Sequence, residues 1–239
     1  MDISNLSYRH CTLCPRTCGV DRTAGARGFC GMPDHPVAAR AAGHWWEEPV
    51  ISGEYGSGAV FFSGCTLRCR FCQNYEISAL RHGFSLDSAR LREIFEALIA
   101  AGHHNINLVT PTHFLPDILP ALEPKLPVPV VYNCGGYERV ETLRALEGKI
   151  DVWLPDMKYS DPGLARLLSA APDYVETAKA AERGIIDIET LNYTNQQLID
   201  TMDEVLKIQN EGKEARRAAE EQLRNIESEL KAKLLEFKG

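Results

Sequence analysis

The sequence predicts an α/β fold: a partial (βα) barrel of about four units, preceded by a cysteine-rich arm and followed by a long α-helical or coiled-coil segment. Three observations predict it. Apolar runs of strand length alternate with amphipathic helical stretches between about residue 57 and residue 170. Ahead of them lies a segment rich in cysteine, glycine, proline and arginine with little periodicity. After about residue 172 the composition changes abruptly to Glu, Lys, Ala, Leu, Gln and Ile. The implied domains are 1–50, 51–174 and 175–239.

The elements follow in order. Residues 1–50 hold Cys14-Pro-Arg-Thr-Cys18 and Ala24-Gly-Ala-Arg-Gly-Phe-Cys30, a stretch that lacks a core of its own and reads as an arm ordered by a metal. Ala59–Phe62 reads as a strand, Leu86–Ala101 as an amphipathic helix, Asn105–Thr110 as a second strand and Leu115–Leu122 as a helix between prolines. Val128–Tyr132 is the third strand, Glu138–Leu146 a helix, Ile150–Leu154 the fourth strand and Asp161–Ala170 a helix. Strands alternating with helices imply a parallel sheet with right-handed crossovers. Near-continuous apolar runs such as Pro127-Val-Pro-Val-Val131 imply strands covered on both faces. From Val175 to Phe237 there is no proline, and Leu198, Met202, Val205, Leu223, Ile226, Leu230 and Phe237 fall at steps of three and four. That pattern predicts a long helix or helical hairpin, with breaks at Gly184 and Gly212.

Composition narrows the function classes. A hydrophobic content of 44% supports a buried core, and a formal charge of −7 disfavours nucleic acid and anionic membrane surfaces as partners. No stretch of about 18 apolar residues occurs, and the first residues lack a basic-then-apolar signal, so the expectation is a cytoplasmic protein. Seven of its 8 cysteines fall in two tight groups, which reads as metal ligation in a reducing compartment rather than a disulfide framework.

Cys65, Cys69 and Cys72 form C-x3-C-x2-C directly after the first strand. Three thiolates with no fourth cysteine nearby suit an iron–sulfur cluster with one open iron; the competing reading is a structural zinc site lacking its fourth ligand. Cys11, Cys14, Cys18 and Cys30 form C-x2-C-x3-C-x11-C, a set for zinc or for a second cluster, against free thiols in a mobile arm. Asp156 and Lys158 stand two apart at the end of the fourth strand and point to one side, toward a ligand or into a surface ion pair. Asn133 is a similar polar candidate, Cys134 reads as a small packed hydrophobe, and His113 as a functional candidate at the strand ends. The adjacent His103 and His104 diverge and suit exposed or capping roles; Trp45-Trp46 and Glu47-Glu48 suit packing of the arm against the barrel, the alternative being a substrate-facing aromatic.

The stretch Gly64-Cys-Thr-Leu-Arg-Cys-Arg-Phe-Cys-Gln-Asn-Tyr-Glu-Ile-Ser78, together with Leu108-Val-Thr-Pro-Thr-His-Phe114, Tyr132-Asn-Cys-Gly-Gly-Tyr-Glu138 and Leu154-Pro-Asp-Met-Lys-Tyr159, resembles the radical S-adenosylmethionine superfamily. Within it the likeness is to the branch related to pyruvate formate-lyase activating enzyme, over about residues 8–174. The resemblance implies a [4Fe–4S] cluster on Cys65, Cys69 and Cys72, and S-adenosylmethionine near Phe71, Thr110, Thr112, Asn133, Asp156 and Lys158. It further implies an oxidoreductase that cleaves S-adenosylmethionine reductively to a 5′-deoxyadenosyl radical for hydrogen abstraction, of a glycyl-radical-activating type. Implied partners are an electron donor such as flavodoxin or ferredoxin and a protein substrate. Where that family has a Gly-Gly-Glu motif this chain has Thr110-Pro111-Thr112, which supplies no charge.

The stretch Glu182-Arg-Gly-Ile-Ile-Asp-Ile-Glu-Thr-Leu191, with Thr194-Asn-Gln-Gln-Leu-Ile-Asp200 and Ile208-Gln-Asn-Glu-Gly-Lys213, resembles something else: the toxic anion (tellurite) resistance protein family, over about residues 175–238. The chain therefore reads as a fusion. Two functional expectations follow, the radical enzyme above and, as the alternative, a catalytically inactive metal-binding and helical interaction protein, with a helix-mediated oligomer as the expected assembly.

Overall fold

The computed structural model describes residues 6–190, and the helical seam expected over Leu198 to Phe237 lies outside them. The chain divides into two compact units, Met1–Ile185 and Ile186–Gly239. Of the second, residues 186–190 are described and are helical.

The first unit is built on a six-stranded sheet in the order β3-β1-β2-β4-β5-β6. Its strands are β1 (Val37–His44), β2 (Ser57–Phe62), β3 (Phe84–Ser85), β4 (Ile106–Val109), β5 (Val130–Cys134) and β6 (Val152–Pro155). Strands β2, β4, β5 and β6 are parallel and lie where the four apolar runs predict strands. The sequence reading left β1 in the arm. It pairs antiparallel with β2, Ala42 opposite Ala59 and His44 opposite Ser57, and β3 pairs antiparallel with it in turn. Its small residues, Ala38, Ala39, Ala41 and Ala42, hid the strand because alanine carries neither β-branched bulk nor clear alternation.

The helices are α1 (Pro49–Ser52), α2 (Tyr75–Ser78), α3 (Ser88–Ala100), α4 (Leu115–Ala121), α5 (Val140–Arg144) and α6 (Pro162–Ser169). Local chemistry sets their starts. Asp87 accepts from Arg90 N at 2.7 Å at the head of α3. Asp161 accepts from Leu164 N at 2.7 Å ahead of Pro162 at the head of α6. Each such cap is worth about 1 kcal/mol.

The two faces of the sheet differ. Val60 and Phe62, Ile106 and Leu108, Val130 and Tyr132, and Trp153 alternate onto the face that carries the helices, and all are buried. There Phe62 meets Phe114 at 6.0 Å between ring centroids, and Leu91, Phe95, Leu115 and Ile118 fill the layer. Burying one such side chain contributes about 1.5–3 kcal/mol. On the opposite face one register row runs Phe61–Val109–Asn133–Leu154 across four strands, and each of these residues is half-buried. That open face is where the cleft lies. On the same face the preceding row, Ala59–Asn107–Val131, is buried, so the strands are covered on both faces except at their C-terminal ends, where the cleft opens.

Residues 174–185 close the first unit as a helix. Tyr174, Ala178, Ala181 and Ile185, at steps of four, three and four, are buried, with Val175 and Gly184 beside them. Tyr174, Val175 and Ala178 join one apolar cluster with Leu67, Cys69, Tyr137, Tyr159, Ala165 and Ala171. No helix among the described residues is long and apolar enough to cross a membrane.

Candidate functional site

A cleft of about 490 Å³ opens on the free face of the sheet, at the C-terminal ends of the parallel strands. It brings together most of the residues singled out from sequence: Cys65, Cys69 and Cys72, Phe71, Thr110, Asn133, Asp156 and Lys158. The position follows from topology, because the loops after parallel strands gather at that end.

The cysteine loop leaves β2 through Gly64, whose φ of +77° and N–H bond to Ile77 O at 3.0 Å turn the chain over the sheet. Cys72 N closes a turn on Cys69 O at 3.1 Å, and Leu67 N donates to Cys65 Sγ at 3.4 Å. Burial pushes the Cys65 thiol up to about 11, and the neighbouring Cys69 and Cys72 add to the rise. Phe71 packs edge-on against Tyr159 at 5.8 Å, and Trp46, 90% exposed, stands at the rim. Thr110, at the end of β4, holds a φ of +58° while donating its N–H to Asn133 O at 2.8 Å. A β-branched residue in that region stores about 1–3 kcal/mol of strain, which marks the cleft wall as a constrained surface.

The polar candidates are arranged differently from one another. Lys158 Nζ pairs with Asp156 Oδ2 at 2.5 Å, so these two satisfy each other on the cleft wall. Asn133 Nδ2 donates to Glu47 Oε2 at 3.0 Å, and Asn107 Nδ2 donates to the same oxygen at 2.9 Å. Glu47 thus reaches from the segment after β1 onto the open face of β4 and β5. The sequence reading of Trp45-Trp46 and Glu47-Glu48 as packing the arm against the body points to this segment, but nothing local names the two asparagines as partners.

Thr112 is taken out of the cleft. It is buried, and its Oγ1 donates to Glu138 Oε1 at 2.7 Å. Tyr132 Oη lies 3.1 Å from Thr112 Oγ1 and 3.4 Å from Glu138 Oε2, and the Cys134 thiol also bonds this carboxyl. Burial pushes Glu138 up to about 8, a rise its hydrogen bonds only partly offset. His113 is buried as well; Nε2 contacts Ser63 O at 2.7 Å, and burial lowers its pKa to about 3. The expected roles of Thr112 and His113 at the strand ends thus give way to packing, because the chain folds into a 3-10 turn over Thr112–Phe114 that carries both into the helix layer. His103 and His104 bracket Tyr55: His103 Nδ1 lies 2.7 Å from Tyr55 O, and Tyr55 N donates to His104 Nε2 at 3.2 Å.

The arm is tied to the body rather than free. Arg16 donates to Thr66 O, Ser169 O and Ala170 O. Arg139 donates to Thr12 O at 2.7 Å, Thr142 to Leu13 O at 3.0 Å, and Tyr8 to Asp117 at 2.6 Å. All eight cysteines are free thiols. Their chemistry suits a thiophilic metal at either group, and the loop thiols influence one another electrostatically, as do those of the arm. Among the described residues, however, no three His, Cys, Asp or Glu side chains converge on one metal position. Binding would have to draw the thiols together.

Comparison with known proteins decides between the two expectations. Residues 171–236 match the family model of the toxic anion resistance protein, TelA. An uncharacterized protein of Listeria monocytogenes is 55% identical over 64 residues, 27% of this chain and 16% of its own length. A TelA-like protein of Staphylococcus aureus is 45% identical over 65 residues, 27% of this chain and 17% of its own. Over a longer span, an uncharacterized protein of Methanocaldococcus jannaschii is 29% identical across 201 residues, 80% of this chain and 58% of its own length. The chain therefore spans little more than half of the archaeal relative and about one sixth of the TelA-like ones. No solved structure matches.

The C-terminal segment is thus TelA-like, beginning at residue 171, a few residues before the expected boundary. The radical S-adenosylmethionine reading is corrected. The family match is to the toxic anion resistance protein and named relatives are TelA-like, which overturns the oxidoreductase implied by the resemblance over about residues 8–174. The motifs that carried that resemblance did not suffice to fix a reaction.

Proposed function

We propose that this chain is a thiolate metal-binding protein whose TelA-like segment serves helical interaction, with binding and assembly rather than turnover as its role. Cys65, Cys69 and Cys72 hold a thiophilic centre at the cleft, and an iron–sulfur cluster is the group that three thiolates without a fourth suit best. One observation carries the reading: Tyr174 and Ala178, at the opening of the TelA-matching stretch, pack in one apolar cluster with Leu67 and Cys69 of the cysteine loop. The segment is therefore anchored on the metal-candidate loop itself.

The test is metal content and mass of the same preparation. Anaerobically purified full-length protein should carry metal that is reduced in Cys65→Ser/Cys69→Ser/Cys72→Ser, and light scattering should give an oligomer that Val205→Asp dissociates. Equal metal content in wild type and the triple variant rejects the cleft site. A monomeric wild type rejects the helix-mediated assembly.

A further inference from the structure

Arg22 is 1% exposed and is among the largest fully buried side chains of the protein. Its Nε and Nη2 donate to Pro33 O, and its Nη1 donates to His113 O at 2.7 Å. The same Nη1 lies 3.8 Å from Cys11 Sγ, and the guanidinium sits 4.4 Å from the Tyr8 ring centroid and 5.6 Å from that of Phe114. None of the ion pairs among the described residues includes it. A cation so thoroughly removed from water costs several kcal/mol unless an anion offsets it. Carbonyl dipoles and ring faces reduce that cost without supplying a charge.

The groups beside Arg22 that can become anions are the Tyr8 phenol, which donates its proton to Asp117 and is pushed up by burial, and thiols. Cys11 Sγ contacts the guanidinium directly, and Cys30 lies within its electrostatic reach. The other two cysteines lie within electrostatic reach of these, Cys14 of Cys11 and Cys30 and Cys18 of Cys30, on turns that a metal would have to draw together. Cys11 N bonds Val20 O and Gly19 N bonds Cys11 O, each at 3.0 Å, which makes residues 11–20 a hairpin. Thr17 N bonds Cys14 O at 3.0 Å, so Cys14 and Cys18 flank its tip. Gly31 N bonds Gly28 O at 2.9 Å, turning Cys30 back toward it, and Phe29 N donates to Cys18 Sγ at 3.3 Å.

We propose that Cys11, Cys14, Cys18 and Cys30 form a second, independent site for one thiophilic divalent cation of the zinc class, with Arg22 as its buried counter-charge. The proposal rests on the metal-binding reading above. Four thiolates around a doubly charged ion leave a net charge of about −2, and binding sends the thiol protons to solvent. The guanidinium offsets part of that charge. Space favours a single ion over a cluster: a Cβ added at Gly28 would stand 2.9 Å from Cys18 Sγ, and Leu13 beside the hairpin tip is fully buried. A cube of iron and sulfide would need the hairpin and the Gly28 turn to part.

The experiment uses full-length protein carrying Cys65→Ser/Cys69→Ser/Cys72→Ser, so that the arm alone is read. Purified and loaded with Zn²⁺, it should hold about one ion per chain, and with Co²⁺ it should give the thiolate charge-transfer and tetrahedral ligand-field absorption of a four-sulfur site. Adding Cys14→Ser should abolish both. Adding Arg22→Met should weaken Co²⁺ binding by about ten- to a hundredfold, as losses beside a metal site do. Arg139→Met, which frees Thr12 without facing a thiol, should leave binding unchanged. If Arg22→Met does not fold, Arg22→Lys keeps the charge and should bind within about threefold of the parent; a hundredfold loss there overturns the counter-charge role. No metal in the triple variant, or about four irons with sulfide, overturns the site. Failure of the cleft site is read separately, as equal metal in wild type and the triple variant.

Discussion

The phenol of Tyr174 accepts the backbone N–H of Lys158 at 2.7 Å and shares its own proton between Gly135 O at 2.9 Å and Asp156 O at 3.0 Å. One side chain from the TelA-like stretch thus ties off the ends of β5 and β6, where the cleft wall begins. Among the described residues no further parallel strand follows β6 in the sheet, and Tyr174, at the head of the next helix, bonds there instead. Fusion-like sequence and integrated structure meet at this residue.

Tyr174→Phe keeps the ring and removes the oxygen, leaving the Lys158 N–H without its partner. The expected cost is about 1–3 kcal/mol, since a lost partner exposes the full desolvation penalty of the group it leaves. Urea denaturation of the full chain measures it. A midpoint equal to wild type would show that the phenol does not hold this corner.

Glu47 joins two amides that the sheet register sets two residues apart, and Asn107 is 0% exposed with its Oδ1 already unpartnered. Glu47→Leu removes the shared acceptor and should destabilise by about 1–3 kcal/mol. Glu47→Gln keeps an acceptor oxygen and should lie much closer to wild type. If the two substitutions have equal effect, the carboxylate is not what the amides need.

Much of this architecture was legible in the chain. Ile106–Val109 and Val130–Cys134 were found because apolar runs bounded by prolines and glycines leave few alternatives to strands. Thr110, Asn133, Asp156 and Lys158 were placed at one end because parallel strands with crossovers put their C-terminal loops together. What could not be read were long-range partners. Glu47 meets Asn133 across 86 positions and Arg16 meets Ala170 across 154, and no local pattern encodes either. Glu138 had a weak signal, a carboxylate inside an aromatic and glycine-rich stretch, but its burial depends on the 3-10 turn that carries Thr112. The reaction was misread for a different reason: it was carried over with a resemblance in short motifs, and motifs of that length are shared by several functions.

Gly64 shows how tightly the arm is set against the cysteine loop. Its φ is +77°, and a Cβ there would lie 2.3 Å from Met32 Cγ and 3.1 Å from Cys30 O. Gly64→Ala therefore meets both backbone strain, about 1 kcal/mol or more, and a contact that must be relieved by moving Met32 or the arm. The expected loss is about 2–4 kcal/mol by thermal or chemical denaturation. Gly148→Ala is the control: its φ of +74° is similar but nothing lies within 4 Å, so only the strain remains. Equal losses at the two glycines would exclude the packing contribution.

Two buried groups give stability an opposed dependence on pH. Glu138 titrates at about 8 in the folded protein against an ordinary 4.5, raised by burial, so its neutral form favours folding below about 4.5 and that advantage is lost as pH climbs to 8. His113 titrates at about 3 against an ordinary 6.5, lowered by burial, so its neutral ring favours folding above 6.5 and that advantage is lost as pH falls toward 3. Between about 4.5 and 6.5 the two slopes cancel. From these groups stability should be level in that window, fall below it, and fall by roughly 2 kcal/mol between pH 6.5 and 8. Glu138→Gln removes the group that titrates there, so its stability should stay level from pH 6.5 to 8 and fall with acid already from pH 6.5 instead of from 4.5. Urea midpoints at about pH 3.5, 5.5, 6.5 and 8 measure all three limbs, and an alkaline decline that survives in Glu138→Gln would assign the slope to another group.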